Sequence, residues 1–368
     1  MKRRLAVACA AFTVLANAGE ATAQDTDLPR IPQVLRAGTP CTAPSGKKVT
    51  EVPWSLRHLG ADRLWPLTTG SGVTVAVLDT GVDGAAVPSD VLGDGGADCV
   101  GHGTVVASLI AGPVREGGVA GLAPGARVQA VRATDRLGAA TPETIASAID
   151  QAVRAGTRIL CVGAVTTDGA PVLKAAVERA TAAGALVVAA AGPDPADRPA
   201  EPARYYPASF PGVIPVASAG PDGKSDAGAG SLAAPGNLVV GTGPGGGHVV
   251  ASGPAFAAAQ VAATAALIRA YRPQATAAEI TWRLWDTAYR QPGLILLDPL
   301  AAVTASGTTG GAPTGRPEPV VVATTPDLSA TRASATAVVG GALVVTGLLA
   351  ALAAVLPRGR RRGWRGGV

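Results

Sequence analysis

The chain has 368 residues, of which 48% are hydrophobic and 3% aromatic, with 48 Gly, 30 Pro and a mean hydropathy of +0.30. That length gives one large domain or two small ones with an ample core, and the apolar content excludes a mostly disordered chain. The net charge is +5, but eight of the 31 basic residues and one of the 26 acidic ones lie in residues 1–23 and 357–368. The remainder is slightly acidic, so the excess positive charge acts on membrane topology, and nucleic acid is not an expected partner.

Residues 1–23 read as a secretory signal peptide. Lys2, Arg3 and Arg4 precede an apolar run from Leu5 to Ala18, and Ala21-Thr22-Ala23 forms a small-residue cleavage site before Gln24. Residues 24–53 are a Pro-containing N-terminal extension that packs against the main domain or covers its cleft. Three cysteines remain after cleavage. Cys41 and Cys99 lie in Pro/Gly/Asp contexts typical of loops, and an exported location permits a disulfide between them. Cys161, inside Arg158–Val162, reads as a buried free thiol in a strand.

Residues 54–303 form the main domain. Val73–Leu78 is a continuous apolar run, as expected of a parallel strand buried on both faces, and it ends at Asp79-Thr80-Gly81. A helix over Gly103–Ala111, a strand over Arg127–Arg132 and a helix over Thr144–Ala155 follow, the last starting near Thr141 or Pro142. Then come a strand over Arg158–Val162, a helix over Val172–Ala183, and strands over Ala185–Ala191 and Val213–Ala217. A long helix of small residues spans Pro254–Tyr271, with Ser252 read as its cap. Strand and helix alternate, so the class is α/β with a mostly parallel central sheet. His58 and His248 read as surface or loop residues.

Residues 304–334 are rich in Thr, Gly and Pro and read as a linker, spanning about 30 Å as a flexible coil. Residues 335–356 carry no charge, and 22 residues of helix reach about 33 Å, enough to cross a bilayer. Five arginines follow in residues 357–368, which the positive-inside rule assigns to the cytoplasm. The expectation is a single-pass membrane protein with an extracytoplasmic main domain and a cytoplasmic basic tail.

Asp79 closes a strand, and His102 opens a helix in Gly101-His102-Gly103-Thr104. The segments Val75–Val82, Gly101–Gly112 and Gly121–Val128 resemble those around the catalytic Asp, the catalytic His and the following strand of subtilases, the subtilisin-like serine proteases. The resemblance covers residues 54–303 and implies their three-layer fold. Val52–Leu67, Gly241–Val249 and the single C-terminal span narrow it to mycosins, the membrane-anchored subtilases attached to type VII secretion systems of actinobacteria. A subunit of such an assembly is the partner this implies, with an extended peptide in the cleft as a further possible ligand.

Two positions depart from the family. Its nucleophile segment reads Gly-Thr-Ser-x-x-x-Pro, and Gly253-Pro254-Ala255 puts Ala255 where the serine belongs. A methyl group cannot attack a carbonyl. In Gly192-Pro193, Pro193 takes the place of the oxyanion asparagine and offers neither a side-chain donor nor a backbone N–H. The expectation is a protease homologue without proteolytic activity that acts by binding. Asp79 and His102 then persist as a buried carboxylate–imidazole pair. The alternative is an active serine-type endopeptidase with an unrecognised nucleophile. No metal or other cofactor is expected, since two ligands alone rarely hold a metal.

Overall fold

The computed structural model describes residues 28–114, 118–194, 204–225 and 230–306, together with Thr346 and Leu349. The chain divides into two units, residues 1–310 and 311–368, and the architecture below belongs to the first. Among the described residues no helix is long and apolar enough to cross a membrane. The expected signal peptide and basic tail lie outside the described residues, as do the span over 335–356, apart from Thr346 and Leu349, and the linker from residue 307 on.

In chain order the elements are α1 (Trp54–His58), α2 (Ala61–Leu64), β1 (Thr74–Asp79), β2 (Ser89–Leu92), α3 (His102–Ala111), β3 (Arg127–Arg132), α4 (Pro142–Arg154), β4 (Ile159–Val162), α5 (Pro171–Ala182), β5 (Leu186–Ala190), β6 (Val213–Ala219), β7 (Leu232–Pro235), β8 (Val239–Thr242), β9 (His248–Ala251), α6 (Pro254–Tyr271), α7 (Ala277–Asp286), β10 (Tyr289–Gln291), β11 (Leu294–Leu296) and α8 (Pro299–Thr304). Nine strands form one sheet in the order β10-β11-β7-β6-β5-β4-β1-β3-β2, and β8 and β9 pair as a separate antiparallel hairpin. Every neighbouring pair in the large sheet is parallel except β10–β11.

The central strands read as unbroken apolar runs because helices cover both their faces. In β1, Val75 and Val77 join the core shared with α3 and α6, whereas Ala76 and Leu78 join the core under α4 and α5. Helix α6 is apolar on every side, and all residues from Pro254 to Ile268 are buried. Its alanines let it lie close against β4 to β7 and α3, as expected of a helix enclosed in a core rather than set on a surface. Amphipathic α4 instead starts at a reciprocal cap between Thr141 and Thr144, with Pro142 in its first turn.

The end of the described domain is tied down. Arg283 is 1% exposed, pairs with Glu279 within α7, and donates from Nη1 to Ala305 O at 2.7 Å. Arg272 Nη2 donates to the same carbonyl at 2.9 Å.

Candidate active site

Ligand sites in parallel sheets form beyond the carboxyl ends of the strands. Here β1 ends on Asp79, β5 leads through Gly192-Pro193 to Asp194, His102 opens α3, and Ala255 lies in the first turn of α6. The loop before α3 fixes the histidine. Asp98 accepts from Gly101 N–H, and from the N–H and hydroxyl of Thr104, at 2.6–2.9 Å. It thereby caps the helix start that Gly101 cannot cap with a side chain. Thr80 donates its hydroxyl to Asp98 and accepts from Gly103 N–H. Cys99, beside Asp98, forms a disulfide with Cys41 and ties the N-terminal extension to this loop; Cys161 is free and buried in β4.

Asp79, His102 and Ala255 are all brought together, each 1% exposed or less. Asp79 Oδ1 lies 2.6 Å from His102 Nδ1 and accepts from Thr80 N–H at 2.7 Å. Gly163 crosses directly above, where a Cβ would collide with Asp79 Oδ2. Phe256 packs on the imidazole, with ring centroids 4.8 Å apart.

The other face of the imidazole holds a group that no sequence motif announces. Asp194 Oδ2 lies 2.6 Å from His102 Nε2. Its second oxygen, Oδ1, accepts from Ala255 N–H at 3.2 Å. Gly253 makes room for it, because a Cβ there would collide with the Asp194 carboxylate, and its φ of +143° is a conformation that favours glycine. The result is a buried Asp79–His102–Asp194 row. With both carboxyls ionised, both ring nitrogens carry protons and donate; a protonated Asp194 would instead donate to a bare Nε2. Burial by itself works against that charged imidazole. The charges of Asp79 and Asp194 and their hydrogen bonds overcome it and hold His102 well above its ordinary value. Burial also pushes the Asp194 carboxyl up, against the pull of His102 and the Ala255 N–H.

This geometry has a chemical consequence. A general base needs a free lone pair on Nε2, and here that nitrogen is engaged by a carboxylate. An oxyanion would need the N–H at position 255, and the same carboxylate accepts from it. Pro193 lies beside the site without a donor. Ser252 does not cap α6: Gly253 is its N-cap, and the Ser252 hydroxyl accepts from Leu238 N–H at 2.9 Å. His248, read from the sequence as a surface or loop residue, is a buried residue opening β9, and its Nδ1 accepts from Val49 N–H at 2.6 Å. Among the described residues no group of three or more His, Cys, Asp or Glu could hold a metal ion.

The extension lies along the cleft. Ile31 N–H donates to Val250 O, Val250 N–H to Pro29 O, and Leu35 N–H to Leu137 O, at 2.8–3.2 Å. Between these anchors Gln33 Oε1 accepts from Asp194 N–H at 3.1 Å. Gln33 and Val34 border a cavity of about 190 Å³ whose wall includes Asp79, His102 and Pro193.

The sequence matches the subtilase family (Peptidase S8) over residues 70–316. Mycosin-4 of Mycobacterium tuberculosis is 31% identical over 382 aligned residues, covering 86% of this chain and 84% of that protein. Mycosin-1 of the same organism is 44% identical over a shorter stretch of 117 residues, 29% of this chain and only 26% of the relative. Among solved structures, MycP1 from Mycobacterium smegmatis superposes with a TM-score of 0.67 at 26% identity, over 79% of this chain and 96% of that one. A chain of an intact ESX-5 inner membrane complex superposes with a TM-score of 0.64 at 26% identity, over 89% and 96%.

Proposed function

The chain belongs to the subtilase family and is mycosin-like, and we propose that it is a member that no longer cleaves peptide bonds and acts by binding within a type VII secretion membrane assembly. The observation that carries the loss of activity is the substitution of chemistry at one point. Ala255 supplies no nucleophile, and Asp194 bonds to the two groups, His102 Nε2 and the Ala255 N–H, that catalysis would use. In subtilisin, removing the serine alone costs about 10⁶ in kcat. Loss of the oxyanion asparagine costs about 10²–10³, and the two effects share one transition state and do not simply multiply.

The binding role is supported by the likeness to a chain of an ESX-5 inner membrane complex. In this reading residues 1–23 direct export, residues 335–356 span the membrane, and residues 54–303 dock on the extracytoplasmic side of the assembly. Asp79 and His102 are then retained as structure. Together with Asp194 they form a buried polar row, in which Asp79 Oδ2 is left without a hydrogen-bond partner, and removing His102 would strand both carboxylates.

The test has two parts. The full chain, purified from membranes, is treated with a fluorophosphonate probe, with an intact mycosin as positive control; no label is expected, and labelling would overturn the loss of activity. Cross-linking in intact cells that carry the secretion system is expected to capture its membrane subunits. Recovery of the chain free of them, or in the soluble fraction, would overturn the binding role.

A further inference from the structure

We propose a second binding site, for a phosphate group, in an arginine-lined cavity at the edge of the sheet opposite Asp79 and His102. It depends neither on the loss of activity nor on the membrane partner.

The cavity, of about 410 Å³, forms where the strands begin rather than where they end. Thr74 opens β1, Arg127 opens β3 and Ile159 opens β4, and all three line it. The length of β1 puts it about 17 Å from the carboxyl ends of the strands, where Asp79 lies. Its volume falls within the range of about 300–1,000 Å³ usual for small-molecule pockets. Three guanidinium groups, from Arg127, Arg158 and Arg269, share its wall with one carboxylate, that of Asp90 on β2. Three positive charges against one negative leave an excess of two, which a phosphate monoester, carrying about −1.5 to −2 at neutral pH, neutralises.

None of these arginines is spent on an acid. Among the described residues Arg127, Arg158 and Arg269 form no ion pair. Arg158 Nη1 donates to Val153 O at 3.3 Å and to Thr157 O at 3.2 Å, which fixes the guanidinium plane and leaves Nε and Nη2 as donors. Arg269 follows the buried run Pro254–Ile268 of α6, and its Nε is itself buried with no acceptor. Burial pushes this guanidinium below its ordinary value, and no carboxylate offsets the shift. The last turn of a helix favours a cation, which accounts for Arg269 on α6. It does not account for two more guanidiniums converging on the same cavity from the starts of β3 and β4. Grouped like charges repel, and an anion among them relieves the repulsion and satisfies the orphaned donor together. Guanidinium forks match phosphate oxygens in pairs. Gln129 adds a neutral donor: its Oε1 accepts from the Thr157 hydroxyl at 2.7 Å, which leaves its amide nitrogen for a ligand.

A phosphate group is available free in solution and on phospholipid headgroups, and the experiment separates the two. The full chain is modified with phenylglyoxal, and the rate at each arginine is read by mass spectrometry. Three preparations are compared at equal ionic strength: maltoside micelles with chloride, the same micelles with inorganic phosphate, and phosphatidylglycerol nanodiscs with chloride. Inorganic phosphate is expected to slow Arg127, Arg158 and Arg269 together, by about tenfold at ten times its Kd, and to spare Arg57, which is exposed outside the cavity. Slowing in the nanodiscs as well assigns the site to a lipid headgroup, and slowing by inorganic phosphate alone assigns it to a soluble phosphate compound. Slowing by neither, or equal slowing at Arg57, would overturn the proposal. Arg269→Gln is expected to weaken the protection of Arg127 and Arg158 by about 10- to 150-fold in phosphate affinity, the loss of a charge-assisted hydrogen bond. Unchanged protection in that variant would also overturn it. Should Arg269→Gln fail to fold, Arg127→Gln, at the exposed start of β3, makes the same test on Arg158 and Arg269.

Discussion

Restoring the serine alone will not restore a protease. In an Ala255→Ser variant the new hydroxyl meets an imidazole whose Nε2 is 2.6 Å from the Asp194 carboxylate and whose Nδ1 is 2.6 Å from Asp79. To act as base, His102 must give up the proton shared with Asp194, breaking a hydrogen bond between charged groups worth about 1.5–3 kcal/mol, or roughly 10- to 150-fold in the competent population. The second Asp194 oxygen still accepts from the N–H at position 255, withholding an oxyanion donor worth about 10²-fold or more. The assay is the rate of fluorophosphonate labelling followed by mass spectrometry. Ala255→Ser is expected to label at least about 10²-fold more slowly than Ala255→Ser with Asp194→Ala, the larger of the two effects, since both act on one transition state. Adding Pro193→Asn is expected to raise the rate further, by up to about 10²–10³-fold. Equal rates for the first two variants, both folded, would refute the claim that Asp194 blocks the site.

Three further outcomes follow from the same geometry. Folding raises the affinity of both His102 and Asp194 for protons, so their contribution is full at low pH and is lost as pH rises through the folded values. Urea unfolding is expected to show stability falling above about pH 3.9 for the Asp194 proton and above about pH 6.5 for the His102 proton, by no more than about 1.4 kcal/mol per pH unit for each, with a flatter profile in His102→Gln. Asp194→Ala leaves the Ala255 N–H without its acceptor and is expected to cost about 1–3 kcal/mol in the same assay; no loss would mean that the Asp194 contacts do not hold the fold. Cys41→Ser with Cys99→Ser opens a loop of 58 residues, and chain entropy sets the loss at about 4 kcal/mol or less, checked by melting with and without reductant.

Much of this was legible because some residues announce themselves locally. The run Val75–Leu78 can only be a strand buried on both faces, and Asp79 at its end marks where chemistry collects. His102 and Ala255 sit in segments whose glycines and helix starts repeat a family pattern. The disulfide partners stood out as the two cysteines in loops. Asp194 was not legible, since after Gly192-Pro193 it is one more acid in a Pro/Asp-rich loop. Only the meeting of the end of β5 with the start of α6 gives it a role. Ser252 misled for a related reason: a serine before a helix is an ordinary cap, but the positive φ of Gly253 turns the chain and sends the hydroxyl to Leu238. Short, polar or glycine-rich strands such as β2, β10 and the β8–β9 hairpin lack the apolar runs that revealed β1, β4 and β5. His248 looked like a loop residue because its burial comes from residues 47–49, which are distant in sequence.

The carbonyl of Ala305 receives two guanidinium groups, from Arg272 at the end of α6 and from Arg283 inside α7. Considered mechanically, this is a load path. A pull on the chain beyond residue 306 is not taken up first by the six residues of α8, which would peel turn by turn under tension. It is carried across to the most deeply buried helix in the domain, through two donors that must be sheared together.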